Sequence, residues 1–405
     1  MIKKYHTFIS NNLLYKIRHN TLNFGQYYYK FTLLENLFMI KYICIIIIFS
    51  RENKYMIKTS SFGKTSRGEQ VYAFCLSDGV NEAIILNYGG IIHSIKIIGK
   101  DGNPIDIVLG YNDIQAYENN PLGLGGIIGR FAGKIENGRF TIDGENYDLL
   151  CNKGSHHADG GSEGFHTKIW QHVFEGPAGN TLSLSYTSPA NEENYPGLLR
   201  VQVNYTLEKG ELRIDYMAMA DKKTPINLTN YTCFNLNGES SGTILDTIAQ
   251  INADKIVTTN DDLIPNGSFK SVENTPFEFL TQHRIGERIN DTNDRDIMLQ
   301  GGYDTTYLLN KKKDEFTKIA EFEGSRTGIL MEIYTNKPAL YFYTGQALNN
   351  QGKSTTYGRN TGFIAAPVFL PGAIGIPAYA FLGDPVYNRG QIYRFTTSYK
   401  FSIRN

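Results

Sequence analysis

Between residues 181 and 220 hydrophobic and polar positions alternate with a period of two. Residues 181–186 put Leu182, Leu184 and Tyr186 on one side, and residues 199–207 do the same with Leu199, Val201, Val203, Tyr205 and Leu207. After Lys209-Gly210 the pattern resumes with Leu212, Ile214, Tyr216 and Ala218. Successive side chains of a strand point to opposite faces, so this alternation predicts half-buried antiparallel strands and fits better than any helical period. Further strands are predicted around residues 84–86, 91–98, 140–142, 329–334, 339–343 and 392–401. Turn signals such as Asp101-Gly102-Asn103 and Asp143-Gly144 separate them. No segment carries an extended 3.6-residue period, and no linker divides residues 56–405. The pattern predicts an all-β protein, one large antiparallel β-sandwich.

Composition agrees with that reading. Forty Gly against thirteen Pro, with twenty-seven Tyr and twenty-three Phe among 405 residues, suit strands and tight turns. Forty Lys and Arg balance forty Asp and Glu, which excludes a disordered polar tail, a polybasic nucleic-acid module and a strongly acidic binding protein. The four cysteines (Cys44, Cys75, Cys151, Cys233) are far apart and read as reduced thiols of a cytoplasmic protein. Residues 1–55 differ: eight basic and two acidic residues, one Gly and no Pro. Their one apolar run, residues 42–49, falls far short of the ~20 residues that span a bilayer, so no membrane partner is expected. A signal peptide starting at Met39 fits poorly, because no small-residue cleavage site precedes Ser50. We expect an extension over residues 1–55 ahead of a fold that begins at Met56; the competing reading is a pre-folded N-terminal helix.

Two patterns mimic motifs. Gly123-Leu-Gly125-Gly126-Ile-Ile-Gly129 lacks both the spacing and the βαβ setting of a dinucleotide loop, and reads as a turn crowded by backbone. His156-His157-x-Asp159 resembles part of a metal site, but no second His/Cys cluster stands at ligand spacing, so no metal is expected.

A longer series of segments is more specific. Asn87-Tyr-Gly-Gly90 is followed by Gly129-Arg130-Phe-Ala-Gly-Lys-Ile135, Gly138-Arg-Phe-Thr-Ile-Asp-Gly144 and Gly160-Gly161-x-x-Gly164-Phe165 leading to Trp170. Tyr195-Pro-Gly197, Asn227-Leu-Thr-Asn230 with Phe234-Asn-Leu236, Leu263-Ile-Pro265, Thr275-Pro-Phe277, Gly302-Tyr-Asp304 and Tyr343-Thr-Gly345 complete it. In this order, over nearly all of residues 56–405, the chain resembles the aldose 1-epimerase (galactose mutarotase) family. An unrelated lectin sandwich would need every segment to coincide by chance. The resemblance implies a β-supersandwich, a sugar cleft that takes a monosaccharide (hexose) ligand, and no metal or organic cofactor for the chemistry.

Interconverting anomers requires a base for the C1 hydroxyl proton and an acid for the ring oxygen, both poised near neutral pH. The resemblance implies an acid histidine after the Asn of Asn-Leu-Thr-Asn, a second histidine before Gly-Gly, and a base glutamate in Gly-Phe-x-x-Glu-x-Gln. This sequence departs at all three. Tyr231 follows Asn230, Asp159 precedes Gly160, and Ala366 and Val368 take the glutamate and glutamine positions after Gly362-Phe363. Arg130 matches the family's sugar-contacting arginine and Asp304 its sugar-binding aspartate; the competing roles are a structural ion pair and a turn cap. Asp159 and Tyr231 are the candidate replacement base and acid, although a phenol of pKa near 10 is a weak acid at pH 7. His157 is a further candidate ligand contact, against a plain loop histidine bonded to backbone. Trp170 and Phe165 read as core. Two functions follow: a sugar-binding homologue with weak or no catalysis, or an active epimerase with a rebuilt acid–base pair.

Overall fold

A computed structural model describes residues 57–176 and 179–404, so the expectation of an extension over residues 1–55 lies outside the described residues. The alternating segments are strands: Thr181–Ser188, Leu199–Glu208 and Glu211–Ala220 pair antiparallel in sequence. Leu199, Val203, Tyr205 and Leu207 are fully buried, with Val201 nearly so. The turn at Lys209-Gly210 has φ of 51° and 76°. Two left-handed central residues are what a tight hairpin needs to follow strand twist. The Asp143-Gly144 turn repeats that solution at 52° and 82°.

These strands belong to a nine-stranded sheet ordered Gln171–Glu175, Thr181–Ser188, Leu199–Glu208, Glu211–Ala220, Ile392–Ile403, Ile329–Thr335, Thr317–Glu323, Ile248–Ile251 and His283–Arg284. A six-stranded sheet runs Cys233–Phe234, Phe363–Val368, Ala339–Tyr343, Asp304–Leu308, Lys255–Thr259 and Pro265–Ser271. A five-stranded meander, Lys58–Lys64 through Pro104–Asp106, supplies the third. The main core joins side chains of all three, Phe74, Leu182, Val203, Phe342 and Phe363 among them. Trp170 and Phe165 lie in it edge to face with ring centroids 5.8 Å apart, and the indole N–H donates to the Phe165 carbonyl. Neither ring reaches the surface. Alternation along the six-stranded sheet sends Phe363, Ala365, Leu340 and Phe342 into this core, and Ile364, Ala366, Val368 and Tyr343 into a second cluster on the other face. That second face carries the candidate site.

Among the described residues two α-helices are short, Ile114–Glu118 and Arg295–Gln300. At five and six residues they are below two turns, too short to leave a helical period in the sequence. Among the described residues no helix is long and apolar enough to cross a membrane.

Candidate functional site

Asn227-Leu-Thr-Asn230 is a buried polar bracket. The Asn227 amide donates to the Ala132 carbonyl and its oxygen accepts from the Phe369 N–H. Thr229 donates to the Pro367 carbonyl, and Asn230 donates to the Gly125 carbonyl. Each bond answers a backbone group that would otherwise be buried unpaired. Together they hold the two-residue strand Thr229–Asn230 against Ile127–Ile128 and set Tyr231 on the outer face of the six-stranded sheet.

Opposite Tyr231, His157–Ala158 pairs with Lys134–Ile135 and the chain turns at Asp159, with φ of 55°. A Cβ on the next residue, Gly160, would lie 1.8 Å from the Gly129 carbonyl oxygen, and φ there is +87°. Only glycine allows so close an approach in that conformation. Asp159 Oδ1 accepts from the Gly133 N–H at 2.8 Å and from the Tyr231 hydroxyl at 2.8 Å. Both bonds fall on one oxygen, so Oδ2 keeps its acceptor capacity.

A second carboxylate–phenol pair stands alongside. The Tyr341 hydroxyl donates to Asp304 Oδ1 at 2.8 Å, and the Tyr341 and Tyr231 rings lie with centroids 5.5 Å apart. Burial raises the Asp304 carboxyl above its ordinary value, and the Asp159 charge adds to that; Tyr341, Lys134 and Lys153 oppose it. Burial and the adjoining carboxylates push both phenols well above 10. The Lys134 ammonium donates to the carbonyls of Asp262 and Leu263 at 3.2 and 3.3 Å. Burial lowers its pKa, while Asp304 and Asp159 hold it up.

The structure brings Asp159, Tyr231 and Asp304 together, with Lys134 and Tyr341 beside them. Arg130 stands apart from this group. Its Nε donates to Ser188 Oγ, one terminal nitrogen to the carbonyls of Pro196 and Gly197, and the other to those of Ser188 and Pro189. All five donors of a guanidinium are thereby used, and the side chain is buried. Its partners are one hydroxyl and four carbonyls, not the carboxylate of the expected ion pair, and no N–H remains for a sugar. His157 is likewise enclosed: Nδ1 meets the Leu150 carbonyl at 2.6 Å and Nε2 the Tyr195 hydroxyl at 2.8 Å. Burial lowers its pKa, so it is a neutral core histidine rather than a ligand contact. Lys134 sits four residues after Arg130 in the same segment. Sequence reasoning passed over it because nothing in the segment says which cation faces out; its pairing with Ala158, beside Asp159, decides that. Among the described residues no group of three or more His, Cys, Asp or Glu side chains is arranged to hold a metal ion.

Ala366 is fully buried on the site-facing side of Phe363–Val368, directly across from Tyr341. It offers a methyl group and no proton acceptor.

The model of the aldose 1-epimerase family matches residues 72–400. The chain belongs to the aldose 1-epimerase family. It is 33% identical over 342 residues to the galactose mutarotase of Rattus norvegicus, covering 84% of this chain and 96% of that protein. The aldose 1-epimerase of Escherichia coli (strain K12) is 32% identical over 321 residues, 78% of this chain and 91% of that one. Among solved structures, the galactose 1-epimerase of Lactobacillus acidophilus NCFM superposes with a TM-score of 0.75 at 25% identity, over 87% of this chain and all of the other. The aldose epimerase homologue of C. elegans reaches 0.74 at 24% identity over 86% of this chain, a likeness of fold. The sandwich described above is thus the galactose mutarotase-like fold.

Proposed function

We propose that this member of the aldose 1-epimerase family binds a hexose through Asp159, Asp304, Lys134, Tyr231 and Tyr341, and catalyses anomer exchange weakly or not at all. The observation that carries the reading is Ala366. Where the family resemblance puts the general base, the sheet presents a buried methyl group flanked by Ile364 and Val368 and faced by Tyr341. Ring opening needs that base and an acid together. A phenol held well above its ordinary pKa gives up its proton poorly near neutrality. Binding asks less. Two partly buried carboxylates accept hydroxyl protons, an ammonium donates, and the adjoining rings of Tyr231 and Tyr341 offer an apolar surface. The free thiols of Cys75, Cys151 and Cys233 accord with a reducing cytoplasm.

Polarimetry with fresh α-D-galactose and α-D-glucose, beside a calorimetric sugar titration, tests this. The expected result is mutarotation little above buffer with measurable binding that Asp304→Ala abolishes. A rate near that of an ordinary mutarotase overturns the reading. One observation favours the active alternative: Tyr231 and Asp159 share a hydrogen bond and form a connected proton donor and acceptor. Were the wild type active, Asp159→Asn and Tyr231→Phe would each reduce the rate ~10²–10⁴-fold.

A further inference from the structure

A cavity of about 210 Å³ opens at the end of the sheet away from the site. Asp304 begins the strand Asp304–Leu308 at the hexose site, and Leu308 at its other end lines the cavity. Four residues of extended chain put about 14 Å between them. The floor is apolar, built from Leu308, Leu309, Phe369 and Phe395, and Phe381 of the turn Pro377–Leu382 forms one wall with 62% of its surface exposed. The rim is Lys311, Lys312 and Lys313, with Asp314 beside them.

None of the three ammonium groups forms an ion pair among the described residues. Lys311 is half-buried and donates only to carbonyls, Lys312 O at 3.0 Å and Asn336 O at 3.5 Å. Burial lowers its pKa, as expected for a cation that has lost water and gained no counter-ion; Asp314 and Glu315 oppose the shift without contact. A further lysine lies beyond the floor, outside the lining. Lys337 is fully buried, bonded to the Leu228 carbonyl, with its ammonium 5.8 Å from the centroid of Phe395. Three lysines thus rim one apolar hollow lined by a single acidic side chain, with Lys337 buried beyond its floor. Low-dielectric walls focus such a field into the hollow.

We propose that this cavity is a second ligand site, separate from the hexose site, for a small organic anion: one carboxylate or phosphate group on a compact apolar body. The apolar part rests on Phe369 and Phe395 beneath Phe381, and the anionic group meets Lys311 and Lys313. The volume equals that of about seven liquid waters, which suits a single ring or a short chain.

Calorimetric titration of the full chain with benzoate, phenyl phosphate, benzamide and inorganic phosphate tests the proposal. We expect benzoate or phenyl phosphate to bind one per chain, and whichever binds more tightly identifies the acid group. Benzamide, the neutral analogue, should bind at least about tenfold more weakly, and inorganic phosphate more weakly still. Lys311→Met and Lys313→Gln should each weaken the anion about tenfold. Phe381→Ala, at an exposed position where folding is not at stake, should weaken benzoate while leaving phosphate unchanged. Asp304→Ala and added galactose should leave benzoate binding as it was. The proposal is overturned by any of three results: no heat at millimolar benzoate, equal affinity for benzoate and benzamide, or displacement of benzoate by galactose. The outcome does not depend on whether the hexose site is catalytic.

Discussion

A guanidinium that donates all five N–H groups to buried acceptors has become part of the framework. Arg130 ties the turn at Ser188-Pro189 to that at Pro196-Gly197, and burial pulls its pKa down to about 10, still charged at any physiological pH. Arg130→Ala should therefore unfold the protein at markedly lower temperature, by ~3–5 kcal/mol in a chemical melt, and any sugar-binding defect should track that loss. Normal stability with lost binding would return the residue to the hexose site. Lys337 predicts the opposite sign. Burial alone lowers its pKa to about 7, and its attractive partners are the Leu228 carbonyl and the Tyr216 and Phe395 rings. Lys337→Met keeps the volume and removes the cost of burying an ammonium, so a denaturant midpoint at pH 7 should rise by ~1–4 kcal/mol equivalent. Ala366→Glu alone should destabilise, because the new carboxylate enters a buried position between Ile364 and Val368.

At the scale of elements, the long strands were legible and the short ones were not. Leu199–Glu208 and Glu211–Ala220 each show ten residues of alternation, because one face meets the core and the other meets water. The site rests on pieces two residues long: Ile127–Ile128, Lys134–Ile135, His157–Ala158 and Thr229–Asn230. Two residues carry no period, and three of the four pieces are wholly buried, so hydropathy cannot say which side chain faces out. Buried asparagine amides and glycine contacts position them instead. Asp159 and Tyr231 were candidates from family order, whereas Lys134 and Tyr341 came into view only with the fold. Gly160 is the sharpest test of this scaffold. Gly160→Ala would drive a Cβ into the Gly129 carbonyl, so the Asp159 turn must shift. Loss of sugar binding together with a lowered melting temperature is the expected result.

For the molecule as a whole, buried bases set the acid limit. Burial lowers His93 from 6.5 to about 4, and lowers His157 and His166 in the same direction. A histidine whose folded pKa lies below its unfolded value binds fewer protons when folded, so its contribution is present above pH 6.5 and is lost as pH falls toward 4. Lys337 acts likewise at higher pH: its contribution is lost as pH falls from 10.5 to about 7. Asp304 runs the other way, since a carboxyl raised by burial favours the folded state most when protonated. Three histidines outweigh one carboxyl, so melting temperature should drop steadily between pH 6.5 and 4. His93→Phe should flatten part of that slope, while a flat wild-type profile would show that these rings are hydrated.

The chain has one tryptophan, and Trp170 is sealed in the main core with its indole N–H committed to the Phe165 carbonyl. It is therefore a reporter of cohesion and blind to occupancy. A hexose settling on Tyr231 and Tyr341 leaves the indole's surroundings as they were, and intrinsic emission should stay blue and constant through a sugar titration. The same signal should move sharply to the red when the sandwich comes apart. Silence from this fluorophore on adding sugar is then the response the architecture demands of a loaded site as much as of an empty one.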